Sequence, residues 1–124
     1  DYIIEMINAA KQGKTYSCFL SKNTELPMMY ISDAVYSASQ LMSAPKELLK
    51  IDYPYNITSF SITPKILENE IISNGFPLKV IYKPDFRQKI AESWPKKIDD
   101  TQSKIDWKWK PKFDLRNTIQ KTLF

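Results

Sequence analysis

The run Tyr55-Asn56-Ile57-Thr58-Ser59-Phe60-Ser61-Ile62-Thr63-Pro64-Lys65-Ile66-Leu67 decides the fold class. Between Tyr53 and Ile62, the residues Tyr55, Ile57, Phe60 and Ile62 stand among small polar neighbours, which predicts a strand. Thr63-Pro64 follows, a capping hydroxyl and then proline at the first helical position, where its missing N–H costs nothing. Ile66, Leu67, Glu70 and Ile71 carry a helix onward, and Asn74-Gly75 ends it with residues that tolerate a left-handed backbone. A strand feeding straight into a helix is the unit from which α/β proteins are built.

Outward from this run the alternation continues. Toward the start, Asp1 to Gln12 reads as an amphipathic helix carrying Ile3, Ile4, Ile7 and Ala10, capped by Asp1 and stopped by Gly13. Thr15 to Leu20 and Pro27 to Ile31 read as two short strands, and Asp33 is placed to cap a helix from Ala34 to Ser43. On that helix Val35, Ala38, Leu41 and Met42 form a face suited to burial, and Pro45 closes it. Toward the end, Leu78 to Tyr82 is a further strand, and Pro84-Asp85 opens a helix through Phe86, Ile90 and Ala91 that stops near Pro95. Asp99 or Asp100 caps a short helix to Trp107, and Asp114 caps a last one with Leu115, Ile119 and Leu123 inward. The expectation is an α/β region of short strands alternating with helices over residues 1–124, with no internal repeat or domain boundary.

Composition narrows the functions open to such a chain. Of 124 residues, 43% are hydrophobic and 26% charged, a globular balance that argues against disorder. No apolar run approaches the roughly 20 residues that span a bilayer, and the opening residues carry no signal-like segment, so no membrane partner is expected. The net charge of +4 comes mostly from the last third, where lysines and Arg87 and Arg116 are interleaved with Asp85, Glu92, Asp99, Asp100, Asp106 and Asp114. A nucleic-acid footprint needs clustering of one sign on one face, so no nucleic acid is expected. Cys18 is the single cysteine and histidine is absent, which excludes an intrachain disulfide and a Cys/His zinc site and leaves Cys18 a packed thiol. Asp99-Asp100 offers too few oxygens for a hard cation and fits a helix start, so the metal expectation is none. Trp107 and Trp109, two apart across a helix end, are expected to pack one ring and expose the other.

Gly13 and Gly75 are the only glycines, and neither sits in a glycine-rich loop. A dinucleotide-binding turn requires several, for its sharp bend and the close approach of pyrophosphate. The chain itself therefore carries no cofactor-binding motif.

Three segments, in order, carry a family resemblance: Asp1-Tyr2 opening the first helix, Leu26-Pro27-Met28-Met29-Tyr30-Ile31-Ser32-Asp33, and Arg87-Gln88-Lys89-Ile90-Ala91-Glu92-Ser93-Trp94-Pro95 followed by Ile98-Asp99-Asp100. Together with the Tyr55 to Pro64 run and Asp106-Trp107-Lys108-Trp109-Lys110-Pro111, they resemble the epimerase-like L-threonine dehydrogenases of the extended short-chain dehydrogenase family. The resemblance spans nearly the whole chain, in the family's carboxy-terminal half. Where the family usually carries glycine between its tryptophans, Lys108 stands here; at positive φ it costs roughly 1 kcal/mol relative to glycine. The family's glycine-rich turn and its catalytic Tyr-x-x-x-Lys match nothing here. Tyr2, Tyr16, Tyr30, Tyr36, Tyr53, Tyr55 and Tyr82 are each followed four residues later by something other than lysine.

The resemblance implies oxidation of L-threonine to 2-amino-3-oxobutanoate, with NAD bound by an amino-terminal Rossmann half of the same protein and homodimerisation of the parent. It implies a cytoplasmic location for a bacterial source and a mitochondrial one for a eukaryotic source. This half is then the wall and lid of the substrate pocket, without catalytic residues and inactive alone. Met28 and Met29 are expected to face opposite ways, one toward the pocket, and Trp94 to cap it; ordinary core packing is their plainer reading. Asp1 and Tyr2 fall beside the site, Asp1 also serving as a helix cap. Two alternatives stand: the same region of a sugar-nucleotide epimerase or dehydratase, and a non-catalytic basic binding module. The first needs arginines for a pyrophosphate, and the chain has two. The second needs Trp107 and Trp109 exposed on a basic face.

Overall fold

The computed structural model describes residues 1–124. Helices α1 (Tyr2–Lys11), α2 (Ile31–Ser43), α3 (Pro64–Ser73), α4 (Arg87–Glu92), α5 (Thr101–Trp107) and α6 (Leu115–Leu123) are interspersed with strands β1 (Tyr16–Cys18), β2 (Leu26–Met28), β3 (Phe60–Ile62) and β4 (Val80–Tyr82). The strands form two separate pairs. β1 and β4 run parallel with Tyr16 opposite Val80 and Cys18 opposite Tyr82. β2 and β3 run antiparallel with Leu26 opposite Ile62 and Met28 opposite Phe60. The expected α/β alternation is what forms.

Helix ends are set by nearby residues. Asp1 Oδ1 accepts from the Ile3 N–H at 3.0 Å. The Thr63 hydroxyl accepts from Ile66 N–H at 3.2 Å with Pro64 as first helical residue, and Asp114 Oδ1 accepts from Asn117 N–H at 2.8 Å. Gly13 and Gly75 both end helices at positive φ (63° and 89°). After each, the next N–H returns to a carbonyl five residues back, Lys14 to Ala9 and Phe76 to Ile71, so the last carbonyls of α1 and α3 are satisfied.

The core lies where α1, α3 and α6 meet over the β1–β4 pair. Met6, Ile7, Cys18, Leu67, Ile71, Ile119 and Leu123 are sealed there. On α1 the inward face is Tyr2, Met6, Ile7 and Ala10, whereas Ile4 is exposed. Spacing of four and three from Tyr2, with the aromatic ring as its first member, sets the stripe.

Several expectations give way. The strand expected from Tyr53 is confined to Phe60–Ile62. The strand expected over Pro27 to Ile31 is Leu26–Met28, and the helix begins at Ile31, so Asp33 lies inside α2 instead of capping it. Asp33 is fully buried and serves a tertiary partner, the Lys112–Phe113 backbone. The burial face expected from Val35, Ala38, Leu41 and Met42 is turned outward apart from Leu41, because the body is gripped by the polar side of α2. Phe86 and Ile90 are likewise exposed, and of α4 only Ala91 is buried. Asp99, not Asp100, serves the start of α5, accepting from the N–H and hydroxyl of Thr101 at 3.0 and 2.5 Å. Those bonds hold the Asp99 carboxyl below its ordinary value. Trp107 and Trp109 are both buried, their rings 5.8 Å apart, with the Trp109 indole N–H donating to the Thr58 carbonyl at 3.2 Å. Lys108 between them does adopt the left-handed conformation (φ 59°), the only non-glycine to do so.

Candidate functional site

A cleft of about 420 Å³ opens between the start of α1, the exit of β1, strand β2 and helix α4. Asp1 and Tyr2 supply one wall, Phe19 and Leu20 a second, Leu26, Pro27 and Met28 a third, and Arg87, Ile90, Ala91 and Trp94 the fourth. Each side chain arrives there for a local reason. The cap at Asp1 starts α1 at the rim. Pairing of β2 with β3 fixes Met28 opposite Phe60. Arg87, Ile90 and Ala91 share one face of α4, and Trp94 follows in the turn after the helix end, its N–H donating to the Ala91 carbonyl at 3.2 Å.

The floor is closed and the rim open. Tyr2, Leu20, Leu26 and Ala91 are buried, whereas Ile90 and Trp94 are half exposed. The Tyr2 hydroxyl is buried without a hydrogen-bond partner, and burial pushes its pKa far up. The Tyr16 and Tyr82 phenols are raised by burial first and by their bonds to Glu5 and Glu68 second. Of these phenols only that of Tyr2 belongs to a residue lining the cleft.

Arg87 supplies the cleft's one cationic side chain. Its guanidinium lies 3.5 Å above the Phe19 ring and pairs with Asp85 through Nη2 at 2.6 Å and Nε at 3.1 Å. This partnership raises the Arg87 pKa and holds the Asp85 carboxyl below its ordinary value. Asp85 is itself placed by its N–H donating to the Phe19 carbonyl at 3.2 Å. Helix α4 is tied to the neighbouring loop by Gln88, whose Oε1 accepts from Ser21 N–H at 2.9 Å and whose Nε2 donates to Thr24 Oγ1 at 2.9 Å. The cleft is thus mostly apolar, with the Arg87 guanidinium and the Asp1 carboxylate as its charged side chains. Such a lining, mostly apolar with a few polar groups at its edge, is of the kind that encloses a small molecule.

Of the residues expected at a site, the structure brings Asp1, Tyr2, Met28 and Trp94 together on this cleft. Met29 lies just past the end of β2, half-buried, and is not among the lining residues. The strand that was to alternate the two methionines ends between them. Arg87, Ile90 and Phe19 line the cleft without having been singled out from sequence. The three-and-four spacing from Arg87 to Trp94 carries the signal for the first two, while Phe19 is brought in by the parallel pairing of β1 with β4, which no local pattern announces. Cys18 is sealed in the core and burial pushes its thiol up, as a packed residue requires.

No family model matches the chain. It is similar to solved structures over almost its full length: a GalE-like L-threonine dehydrogenase from Cupriavidus necator superposes with a TM-score of 0.95 at 37% identity over 99% of this chain and 40% of that one. Its homologues are L-threonine 3-dehydrogenases and epimerase/dehydratases, and it matches the carboxy-terminal part of a threonine dehydrogenase. The Trypanosoma brucei L-threonine 3-dehydrogenase gives 0.92 at 35% identity over 98% of this chain and 38% of that one. Among curated relatives, the mitochondrial L-threonine 3-dehydrogenase of Bos taurus is 38% identical over 120 residues, 96% of this chain and 32% of the relative. An uncharacterized epimerase/dehydratase of Staphylococcus haemolyticus is 35% identical over 117 residues, 93% of this chain and 36% of the relative. The chain therefore spans about a third of the length of the curated dehydrogenases it matches. No helix is long and apolar enough to cross a membrane.

Proposed function

We propose that residues 1–124 are the substrate-side region of an NAD-dependent oxidoreductase that converts L-threonine to 2-amino-3-oxobutanoate, forming the wall and lid of its pocket. One observation carries this: Asp1, Tyr2, Met28 and Trp94, scattered over the sequence, converge on a single cleft in a chain that superposes on a threonine dehydrogenase at 0.95. The cofactor does not fit this chain's own residues. Both glycines end helices, and no strand turns into a helix through a glycine-rich loop. NAD and the catalytic tyrosine and lysine belong, in this reading, to a nucleotide-binding part of the same protein. The role left here is geometric: Ile90, Met28 and Trp94 line the cleft and exclude water around a small substrate.

The epimerase/dehydratase names among the relatives favour a second reading, a nucleotide-sugar pocket. It is disfavoured by the cleft having one arginine, already engaged with Asp85, where a pyrophosphate calls for more. The basic-module alternative loses its stacking surface, since both Trp107 and Trp109 are buried.

A chimera separates the readings. These 124 residues replace the matching part of the Cupriavidus necator dehydrogenase, and NADH formation is followed with L-threonine and, separately, with a nucleotide sugar. The proposal expects turnover of L-threonine and none of the nucleotide sugar; a folded chimera that retains NAD but ignores L-threonine overturns it.

A further inference from the structure

Helix α2 is amphipathic the wrong way round for a chain that ends its packing at its own surface. At about 100° per residue, Asp33, Ser37 and Gln40 fall on one side, and Ile31, Val35, Ala38 and Met42 fall on the opposite side within a narrow stripe. The polar side faces the body. Asp33 and Ser37 are buried, the Asp33 carboxylate accepts from Lys112 and Phe113 N–H, and Gln40 Nε2 donates to the Trp107 carbonyl at 3.1 Å. Tyr36 adds a ring against Trp109 and beneath the Lys112 ammonium, which lies 3.8 Å from its centroid. The apolar side faces away: Ile31 is 70% exposed, Val35 66% and Met42 87%. A helix held by its polar side wastes its apolar stripe unless something covers it, because continuous apolar surface of this kind marks an interaction site.

We infer that the Ile31–Val35–Ala38–Met42 stripe is the ridge on which the nucleotide-binding part of the dehydrogenase docks, locking α2 between the two parts. The occupant follows from length: the chain accounts for 40% of the solved relative it superposes on, so most of that protein lies outside these residues. The inference rests on the proposed function for the identity of that part, yet concerns a surface distinct from the cleft. None of the four residues lines the cleft. α2 follows directly from β2, whose Met28 does line it, so a partner seated on the ridge holds the cleft's third wall as well.

The test compares Val35→Glu, and separately Met42→Lys, in the 124-residue chain and in the Cupriavidus necator chimera. In the chain alone each side chain is in water, so Tm moves by less than about 2 °C and sedimentation shows a monomer with and without the substitution. In the chimera each substitution puts a charge against an apolar partner, lowering Tm by at least about 5 °C. There the amides of α2 exchange at least roughly tenfold more slowly than in the isolated chain, and the substitutions abolish that protection. A chimera variant that fails to fold while the same isolated variant keeps its Tm supports the inference equally. The inference is overturned if the chimera tolerates both substitutions, if the isolated chain loses its fold with either, or if the isolated chain is a dimer that either substitution dissociates, which would assign the ridge to a second copy. A chimera that shows the Tm losses but does not oxidise L-threonine leaves the ridge standing and removes the proposed substrate.

Discussion

The carboxylate of Asp33, buried in α2, accepts the backbone N–H of Lys112 at 3.1 and 3.0 Å through its two oxygens. Phe113 N–H adds a third bond at 2.9 Å. One side chain thus ties α2 to the loop before α6, and its loss leaves two backbone donors without their carboxylate partner. Asp33→Ala is expected to cost about 2–4 kcal/mol in urea unfolding, since bonds to charged groups and orphaned donors are both expensive. A cost below about 0.5 kcal/mol would mean that water replaces the carboxylate freely.

Lys108 holds a left-handed backbone at φ 59°, with its N–H and that of Trp109 both returning to the Ser103 carbonyl. A side chain meets a steric penalty there that glycine does not. Lys108→Gly is therefore expected to stabilise the chain by about 1 kcal/mol, raising Tm by roughly 3–5 °C in calorimetry. An unchanged or lowered Tm would show that the turn is unstrained.

Asp106 gathers three donors: the Tyr55 hydroxyl at 2.5 Å, the Gln102 amide at 2.8 Å and the Lys50 N–H at 3.1 Å. The Tyr55 bond leads in holding its carboxyl below the ordinary value of 3.8. A carboxyl depressed in the folded state contributes stability that is whole above about pH 4 and is lost as pH falls through the native value. Asp85 and Asp99 are depressed in the same sense. Tm should therefore fall on acidification below about pH 4, and Asp106→Asn should flatten that fall. Equal acid slopes for both proteins would remove Asp106 from the explanation.

Trp94 is 57% exposed, against 4% and 2% for Trp107 and Trp109. Iodide quenching of the chain should show one accessible and two protected tryptophans, and Trp94→Phe should remove the accessible fraction. Quenching that persists in Trp94→Phe would expose the tryptophan turn and reopen a stacking role for it.

What the sequence disclosed follows the range of the forces involved. The starts of α1, α3 and α6 were legible because Asp1, Thr63 and Asp114 bond to donors two or three residues away. The ends at Gly13 and Gly75 were legible for the same reason. Asp33 was misjudged because the partners that claim it lie about 80 residues away, and a capping residue and a buried tertiary acceptor look alike from sequence. Val35 and Met42 carry a burial pattern that the chain alone does not satisfy, so the pattern records a packing surface without saying what packs there. In the cleft, Asp1, Tyr2, Met28 and Trp94 were nameable only through a family resemblance, while Phe19 and Arg87 owe their place to strand pairing and to the Asp85 turn.

The central claim is that this cleft is the substrate side of a hydride-transfer site, and kcat/KM for L-threonine of the chimera carrying Trp94→Ala tests it most directly. Trp94 is exposed at the cleft rim, so its removal leaves the fold intact, and Lys121→Ala on exposed α6 surface serves as the control. The account predicts a loss of at least roughly tenfold for Trp94→Ala, the range that misplacing a substrate produces, with Lys121→Ala unchanged. Equal kcat/KM for Trp94→Ala and the parent chimera would contradict it.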